Sequence, residues 1–124
     1  MCNVLNVYFT VTPGQPGTPE VNASTKSSMV VVWNKPGVDG GSPVTGYYLE
    51  RRDKKSLRWI KVLKDPINDI TQKVFHLTEG NEYQYRVCAT NKAGEGPFSD
   101  VSDYYKAAEP VGKQNFLDQY VKLC

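Results

Sequence analysis

A chain of 124 residues that is 40% hydrophobic and 23% charged has room for one globular domain and too little length for a second. The formal net charge of +2 at pH 7 is too low to indicate a nucleic-acid partner. Three cysteines are too few and too widely spaced for a disulfide framework, and the apolar stretch at residues 4–11 is too short for a signal peptide or a membrane helix. We therefore expect a reducing, intracellular environment, with neither nucleic acid nor membrane as a partner.

The N-terminal segment, residues 1–16, is predicted to be an extension or linker that does not belong to the domain. Residues 13–17 contain two prolines and two glycines, a composition that favours a loop. The domain is then expected over residues 17–110. Its first strand lies near Val21, where Pro19 suits an edge position because no partner strand needs its missing N–H group.

Two stretches in the first half of the domain alternate in the way that predicts strands with one buried face. Residues 29–33 are largely β-branched and aromatic, and they place Trp33 on the inner side. Residues 45–52 resume the alternation after a loop rich in glycine and proline, with Tyr47 and Leu49 inward. A short strand at residues 59–62 follows, and its lysine neighbours suit a sheet edge.

The clearest alternation lies in the second half of the domain, at residues 83–90. It places Tyr83, Tyr85 and Val87 inward and Cys88 outward, as expected for an antiparallel sheet with one solvated face. The outward position of Cys88 between polar neighbours could lower its pKa, but a quiet structural thiol is the more common outcome.

Two further strands are expected at residues 73–77 and 101–107. Beyond them, residues 111–124 are predicted to be a C-terminal extension, either a short helix or disordered chain. Their apolar residues fall at helical spacing, but the segment is too short to form a stable helix alone.

Seven short strands separated by turn residues predict an all-β class, an immunoglobulin-like sandwich of two antiparallel sheets. The strands near residues 19–21, 29–33 and 73–77 are expected in one sheet and the other four in the second. The side chains expected in the core are Trp33, Tyr47, Leu49, Val74, Leu77, Tyr83, Tyr85 and Val87.

Residues 77–83 resemble the tyrosine corner of fibronectin type III domains, in which a tyrosine follows a leucine by six positions. Trp33 also matches the tryptophan that this family carries on its second strand. The resemblance covers residues 16–110. It implies the fibronectin type III fold, with the Tyr83 hydroxyl hydrogen-bonded to the backbone of the preceding loop.

A narrower resemblance is to the intracellular fibronectin type III modules of muscle, found in titin, twitchin, myomesin and myosin-binding protein C. The matching positions are Pro36, residues 39–43, Gly46, Tyr47, Glu50, Arg52 and Trp59. Residues 96–110 are most similar to modules of the titin A-band. This resemblance implies a cytoplasmic, monomeric and non-catalytic domain, one structural link of a giant protein in the sarcomeric A-band.

The same resemblance implies protein partners only. These are the neighbouring modules of the same chain and the myosin rod or myosin-binding protein C, with a contribution to thick-filament organisation and elasticity. The alternative is an interaction domain of a signalling adaptor or receptor, in which loops or residues 115–124 bind a partner.

The most uneven charge in the sequence lies within residues 51–64, which contain seven basic residues and a single acidic one, Asp53. The candidate protein-binding residues are Arg51, Arg52, Lys54, Lys55 and Arg58. They could attract an acidic partner such as a coiled-coil rod. The alternative is that they form a solvated loop and protect a sheet edge, a common use of lysine.

The sequence contains no set of residues typical of catalysis or metal binding. His76 is the single histidine, and no cysteine or carboxylate cluster accompanies it at the spacing of metal ligands. The Gly94-Glu95-Gly96 stretch is followed by Pro97 and favours a turn over a phosphate-binding loop. We therefore expect no enzymatic activity and no cofactor.

Overall fold

Inward and outward side chains alternate along the two longest strands, Gly46–Asp53 and Glu82–Asn91, which lie side by side at the centre of the larger sheet. The computed structural model describes residues 9–110, which form eight β-strands. They are β1 (Glu20–Ser24), β2 (Met29–Val32), β3 (Gly46–Asp53), β4 (Trp59–Lys61), β5 (Thr71–Val74), β6 (Glu82–Asn91), β7 (Gly94–Glu95) and β8 (Tyr105–Lys106).

The strands divide between two antiparallel sheets. One has the order β1-β2-β5, and the other has the order β4-β3-β6-β7 with β8 also paired to β6. Strands β3 and β6 pair along their length, from Gly46 opposite Thr90 to Asp53 opposite Tyr83. The predicted all-β class and the predicted division of strands between the sheets are therefore confirmed.

The core lies between the two sheets and collects the inward side chains of both. Trp33, the residue directly after β2, packs edge-on against Tyr47 of β3, with 5.7 Å between the ring centroids. Such a pair stabilises beyond the area it buries, by about 0.5–1.5 kcal/mol. The side chains predicted for the core all lie in one buried cluster: Trp33, Tyr47, Leu49, Val74, Leu77, Tyr83, Tyr85 and Val87.

The last strand differs from the prediction of a continuous strand at residues 101–107. Within residues 101–107 only Tyr105–Lys106 pairs with β6 as a strand. A second short strand, Gly94–Glu95, pairs with β6 in the stretch for which a turn was expected. Between them, Ser99 and Ser102 complete the pairing with their side chains. The Ser99 Oγ atom accepts a hydrogen bond from the backbone N–H of Val87, and Ser102 Oγ accepts one from Tyr85. At these two positions a serine hydroxyl accepts the hydrogen bond that a backbone carbonyl accepts in a regular strand.

The loop before β6 is held by the hydroxyl of Tyr83. The backbone N–H of Thr78 donates a hydrogen bond of 2.9 Å to Tyr83 Oη, so the polar tip of a buried ring is satisfied. Gly80 turns the chain with a positive φ of 87°, a conformation that glycine adopts without steric cost. The hydrogen bond implied by the tyrosine-corner resemblance is confirmed.

Residues 11–17 contact the sandwich through backbone hydrogen bonds. The N–H of Val11 donates to Gly40, the N–H of Gly14 donates to Val38, and Pro13 is buried. The domain boundary between residues 16 and 17 stays a prediction.

Residues 1–8 and the predicted C-terminal extension at 111–124 lie outside the described residues. Within residues 9–110, no helix has the length and apolar character needed to cross a membrane.

Candidate protein-interaction surface

The basic residues predicted as a binding patch lie at the end of β3 and in the turn that leads to β4. Asp53 shapes this turn: its backbone oxygen accepts hydrogen bonds from Ser56 and Leu57, and its carboxylate accepts one from the N–H of Lys55. The same carboxylate also accepts a bond from the side chain of Asn81. Both carboxylate oxygens of Asp53 are therefore hydrogen-bonded within the domain, and the neighbouring Lys55 is exposed.

Arg51 and Arg52 do not share a surface, because successive side chains of a strand point to opposite faces. The Arg51 guanidinium lies 5.5 Å from the ring centroid of Tyr83, a core residue. Arg52 lies on the outer face, 4.6 Å from the ring of Trp59, and donates two hydrogen bonds to Gln84. Each arginine is thus held against an aromatic ring on a different side of the sheet.

Lys54, Lys55 and Arg58 are the exposed part of the predicted patch. Lys54 lies 3.7 Å from a carboxylate oxygen of Glu82 and 5.1 Å from the ring of Tyr104. Lys55 and Arg58 are exposed and form no ion pair within residues 9–110. We call Lys54, Lys55 and Arg58 the basic turn. These three residues lie between β3 and β4, whereas Arg51 and Arg52 lie on β3 and are held against Tyr83 and Trp59.

A layer of arginines and aromatic rings covers the outer face of the sheet beside the basic turn. Arg86 lies 4.4 Å from the ring of Trp59 and 3.9 Å from the ring of Phe98. Its guanidinium donates two hydrogen bonds to Glu50, at 2.9 and 2.7 Å. With Arg52 these residues form an arginine–aromatic ladder: Arg52, Trp59, Arg86 and Phe98.

The ladder ties β4 to the rest of the sheet and so positions the basic turn. Cation–π contacts of this kind contribute about 0.5–2 kcal/mol, depending on solvent exposure. The sequence prediction missed Arg86 and Phe98 as members of this surface. Register on β6 could have placed Arg86 near Glu50, but Phe98 lies in an irregular segment whose position no alternation pattern predicts.

Cys88 lies on the outer face of the sheet, as its register predicts, but it is buried there and not solvated. It lies on the central strand β6, opposite Tyr48 of β3, and its sulfur is 4.0 Å from a carboxylate oxygen of Glu95. Burial, with a smaller contribution from the negative charge of Glu95, raises the pKa of the Cys88 thiol from 9.0 to about 11. The thiol stays protonated at neutral pH, which agrees with the favoured prediction of a quiet structural thiol and contradicts the alternative of a lowered pKa.

The described residues do not gather a catalytic or metal-binding constellation. His76 is exposed and follows β5, and residues 9–110 contain no group of three or more histidine, cysteine or acidic side chains that could hold a metal ion. A cleft of about 670 Å³ between Lys35, Asp39, Tyr47 and Asp69 has no histidine, cysteine or serine among its described lining residues. The candidate functional site among residues 9–110 is therefore an exposed surface and not a pocket.

The family assignment agrees with this geometry. The sequence pattern described as the fibronectin type III domain matches residues 14–104. The chain belongs to the fibronectin type III family. This makes it a structural, non-catalytic module, and its two sheets are those of a fibronectin type III sandwich.

Relatives of this fibronectin type III domain are muscle proteins. Cardiac-type myosin-binding protein C of Rattus norvegicus is 34% identical over 113 residues, which is 91% of this chain and 9% of the relative. Myomesin-2 of Homo sapiens is 39% identical over 79 residues, which is 64% of this chain and 5% of the relative. The chain thus spans less than a tenth of the length of these relatives.

Solved structures of titin modules share the fold. Titin module A71 from human cardiac muscle is 34% identical, with a TM-score of 0.70 over 81% of this chain and 95% of that one. Domains A168–A170 of titin are 30% identical, with a TM-score of 0.74 over 79% of this chain and 33% of that one. The resemblance to the muscle type of fibronectin type III module, and to titin modules within it, is therefore confirmed.

Proposed function

We propose that this domain is a structural and protein-interaction module of a giant sarcomeric protein, located in the cytoplasm at the A-band of striated muscle. In this proposal it contributes to the organisation and elasticity of the thick filament and contacts the myosin rod. Neighbouring modules of its own chain, and myosin-binding protein C, are further proposed partners. The likeness to myosin-binding protein C, myomesin-2 and titin modules supports this assignment.

The observation that carries the proposal of a myosin contact is the excess of exposed cations at the basic turn. Lys55 and Arg58 are exposed and lack ion pairs within residues 9–110, whereas Lys54 is paired with Glu82 and Asp53 keeps its negative charge beside them. The three cations outnumber these two acids, so the turn has a net positive charge that attracts an acidic protein surface. A coiled-coil rod with exposed acidic side chains is such a surface.

Hydrogen bonds at both ends of the sandwich support a role in bearing load. Near the N-terminal end, Gly17 donates its N–H to the carbonyl of Asn34. Near the C-terminal end, Ala107 donates to Asn81 and accepts from the N–H of Gly80. Force applied to the two ends would have to break such bonds before the sheets separate, which suits a link in a chain of modules.

Co-sedimentation of the full chain with myosin filaments tests the proposed contact. We expect binding that weakens as salt is raised, because exposed charges are screened by ions. The Lys54→Glu/Lys55→Glu/Arg58→Glu variant should no longer sediment with the filaments. A matched variant, Lys26→Glu/Lys35→Glu/Lys92→Glu, makes the same change of charge on exposed lysines away from the turn and should bind as the unmodified chain does. Equal binding of both variants would contradict a contact through the basic turn.

A further inference from the structure

A serine, Ser56, lies in the middle of the basic turn with its side chain in solvent. Residues 54–58 are exposed without interruption. The turn uses the backbone of Ser56, whose N–H donates a hydrogen bond of 3.1 Å to the carbonyl of Asp53. The hydroxyl takes no part in the hydrogen bonds that join the turn to Asp53. It is therefore accessible to a modifying enzyme.

The residues that precede Ser56 in the sequence are unusually basic. Three of its four preceding neighbours are Arg52, Lys54 and Lys55. No other serine or threonine of the chain has more than one arginine or lysine among its four preceding neighbours. Protein kinases select their substrates partly by patterns of charge, and an acidic substrate cleft selects basic residues. Ser56 is therefore the hydroxyl of this chain that best complements such a cleft.

Leu57, directly after this serine, has a conformation that leucine rarely adopts. Its φ is 58°, in the left-handed region where the Cβ atom is crowded, and its side chain is 63% exposed. Glycine or asparagine adopts this conformation more easily, and packing gives no reason for an exposed leucine here. Strained residues often mark functional positions. We infer that the Leu57 side chain contacts the enzyme that acts on its neighbour.

The turn can open without disturbing the core of the sandwich. A kinase takes up its substrate as an extended segment, so residues 54–58 have to leave the turn conformation before phosphate is transferred. All of their side chains are exposed, and the bonds of Lys55, Ser56 and Leu57 within the turn end on Asp53. Opening also releases Leu57 from its positive φ. Exposed segments with few buried contacts are those that open locally.

We propose that Ser56 is a phosphorylation site for a serine/threonine protein kinase that has an acidic substrate cleft. In the transfer, the Ser56 Oγ atom attacks the γ-phosphorus of ATP and forms a new O–P bond. The bond from this phosphorus to the oxygen that bridges the β- and γ-phosphates breaks, and ADP leaves with the electron pair. The hydroxyl proton passes to a carboxylate of the kinase. The site itself does not depend on the proposed contact with myosin.

A phosphate on Ser56 reverses the net charge of the basic turn. The three cations of the turn outnumber the two acids beside them, Asp53 and Glu82. Phosphoserine adds a charge of about −1.5 to −2 at neutral pH, which exceeds this small positive excess. The phosphate also competes with an acidic partner for Lys55 and Arg58. Phosphorylation therefore weakens binding to the myosin rod, a consequence that rests on the proposed function.

Incubation of the full chain with Mg-ATP and a purified kinase of this class tests the site. The catalytic subunit of cyclic-AMP-dependent protein kinase is a suitable probe. Mass spectrometry of proteolytic fragments should locate phosphate on Ser56, and Ser56→Ala should lose most of the incorporated phosphate. Ser27→Ala, which removes another exposed serine preceded by a lysine, should keep it. Phosphate on other residues alone, or no phosphate, would overturn the proposal.

Variants of the neighbouring lysines test how the kinase recognises the site. Lys54→Ala/Lys55→Ala should slow phosphorylation of Ser56 by at least about tenfold, because it removes the charges that face the acidic cleft. Lys26→Ala/Lys92→Ala makes the same change of net charge on exposed lysines elsewhere and should keep the rate within about twofold. An equal rate in the two variants would contradict recognition through the basic turn.

Leu57→Asn tests the inferred contact of the apolar side chain. Asparagine accepts a positive φ more easily, so this variant should unfold at a higher urea concentration than the unmodified chain does. It should also be phosphorylated about fivefold more slowly or less, because the apolar contact with the kinase is lost and the turn opens less readily. An unchanged rate would contradict a role for Leu57.

Co-sedimentation with myosin filaments distinguishes this proposal from the proposed function. The chain phosphorylated on Ser56 should bind at least about tenfold more weakly than the unmodified chain, with an unchanged midpoint of urea unfolding. Equal binding of the two forms would contradict the regulatory consequence. Phosphate on Ser56 of a chain that does not bind myosin in either form would support the site and contradict the proposed contact with myosin.

Discussion

The two faces of the sheet formed by β3 and β6 use similar residue types for different purposes. The inner face carries Tyr47, Tyr83 and Tyr85, which are buried among aliphatic side chains. The outer face also carries aromatic rings, but Trp59 and Phe98 there stack with arginines and remain partly exposed. The role of an aromatic ring on this sheet therefore depends on the face that it occupies. Inner rings hold the sheets together, and outer rings position charges.

The largest expected effect comes from removing a ring on the inner side. Trp33→Ala should lower the free energy of unfolding by about 3–5 kcal/mol, because it leaves a cavity between the sheets. The matched change on the outer face, Trp59→Ala, should cost only about 1–2 kcal/mol, since that ring is half-buried. Urea unfolding of both variants measures the difference. Equal losses would mean that the outer face stabilises the fold as much as the core does.

A smaller effect is expected at the polar tip of an inner ring. Tyr83→Phe keeps the buried ring but removes the acceptor for the N–H of Thr78, so it should cost about 1–3 kcal/mol. Tyr105→Phe is a suitable control, because this residue also lies beside the core but is only partly buried. Urea unfolding should show a clearly larger loss for Tyr83→Phe. A loss near zero would indicate that water or another group replaces the hydroxyl.

On the outer face, the ladder predicts energetic coupling between two residues that are distant in sequence. Arg86→Ala and Trp59→Ala should each destabilise the domain, and the double variant should be less destabilised than the sum by about 0.5–1 kcal/mol. Arg86→Lys should recover only part of the loss, because lysine cannot reproduce the planar contact with the rings and the two bonds to Glu50. Additive losses in the double-mutant cycle would contradict a direct contact.

The inner face was largely predictable from the sequence, and the outer face was not. Alternation within β3 and β6 assigns Leu49, Tyr85 and Val87 to the core because a strand has a period of two residues. The ladder, in contrast, joins side chains from four separate segments. Which of these side chains meet depends on how β4 and the irregular chain near Phe98 lie on the sheet. Alternation also placed Cys88 correctly on the outer face but did not predict its burial, since it indicates which side a residue faces and not what covers that side.

Cys88 provides a modest, pH-dependent test of how well the outer face is covered. Its thiol has a pKa of about 11 in the folded chain and 9.0 when exposed, so the folded state holds its proton more tightly. The corresponding stability is fully present below pH 9 and is lost as the pH rises towards 11. Urea unfolding of Cys88→Ala should therefore show a shallower loss of stability over this range. The same loss in both proteins would mean that Cys88 ionises in the folded chain as it does in water.

The smallest expected effect on stability is in the basic turn, where the charges are exposed. Lys54→Glu/Lys55→Glu/Arg58→Glu should change the free energy of unfolding by less than about 1 kcal/mol, because the single ion pair involved, Lys54 with Glu82, is 3.7 Å long and solvated. Arg52→Glu should cost more, since it places an acid against Trp59 and Gln84 in the ladder. Urea unfolding distinguishes the two. If the turn variant is as stable as expected, any loss of myosin binding reports on charge and not on folding.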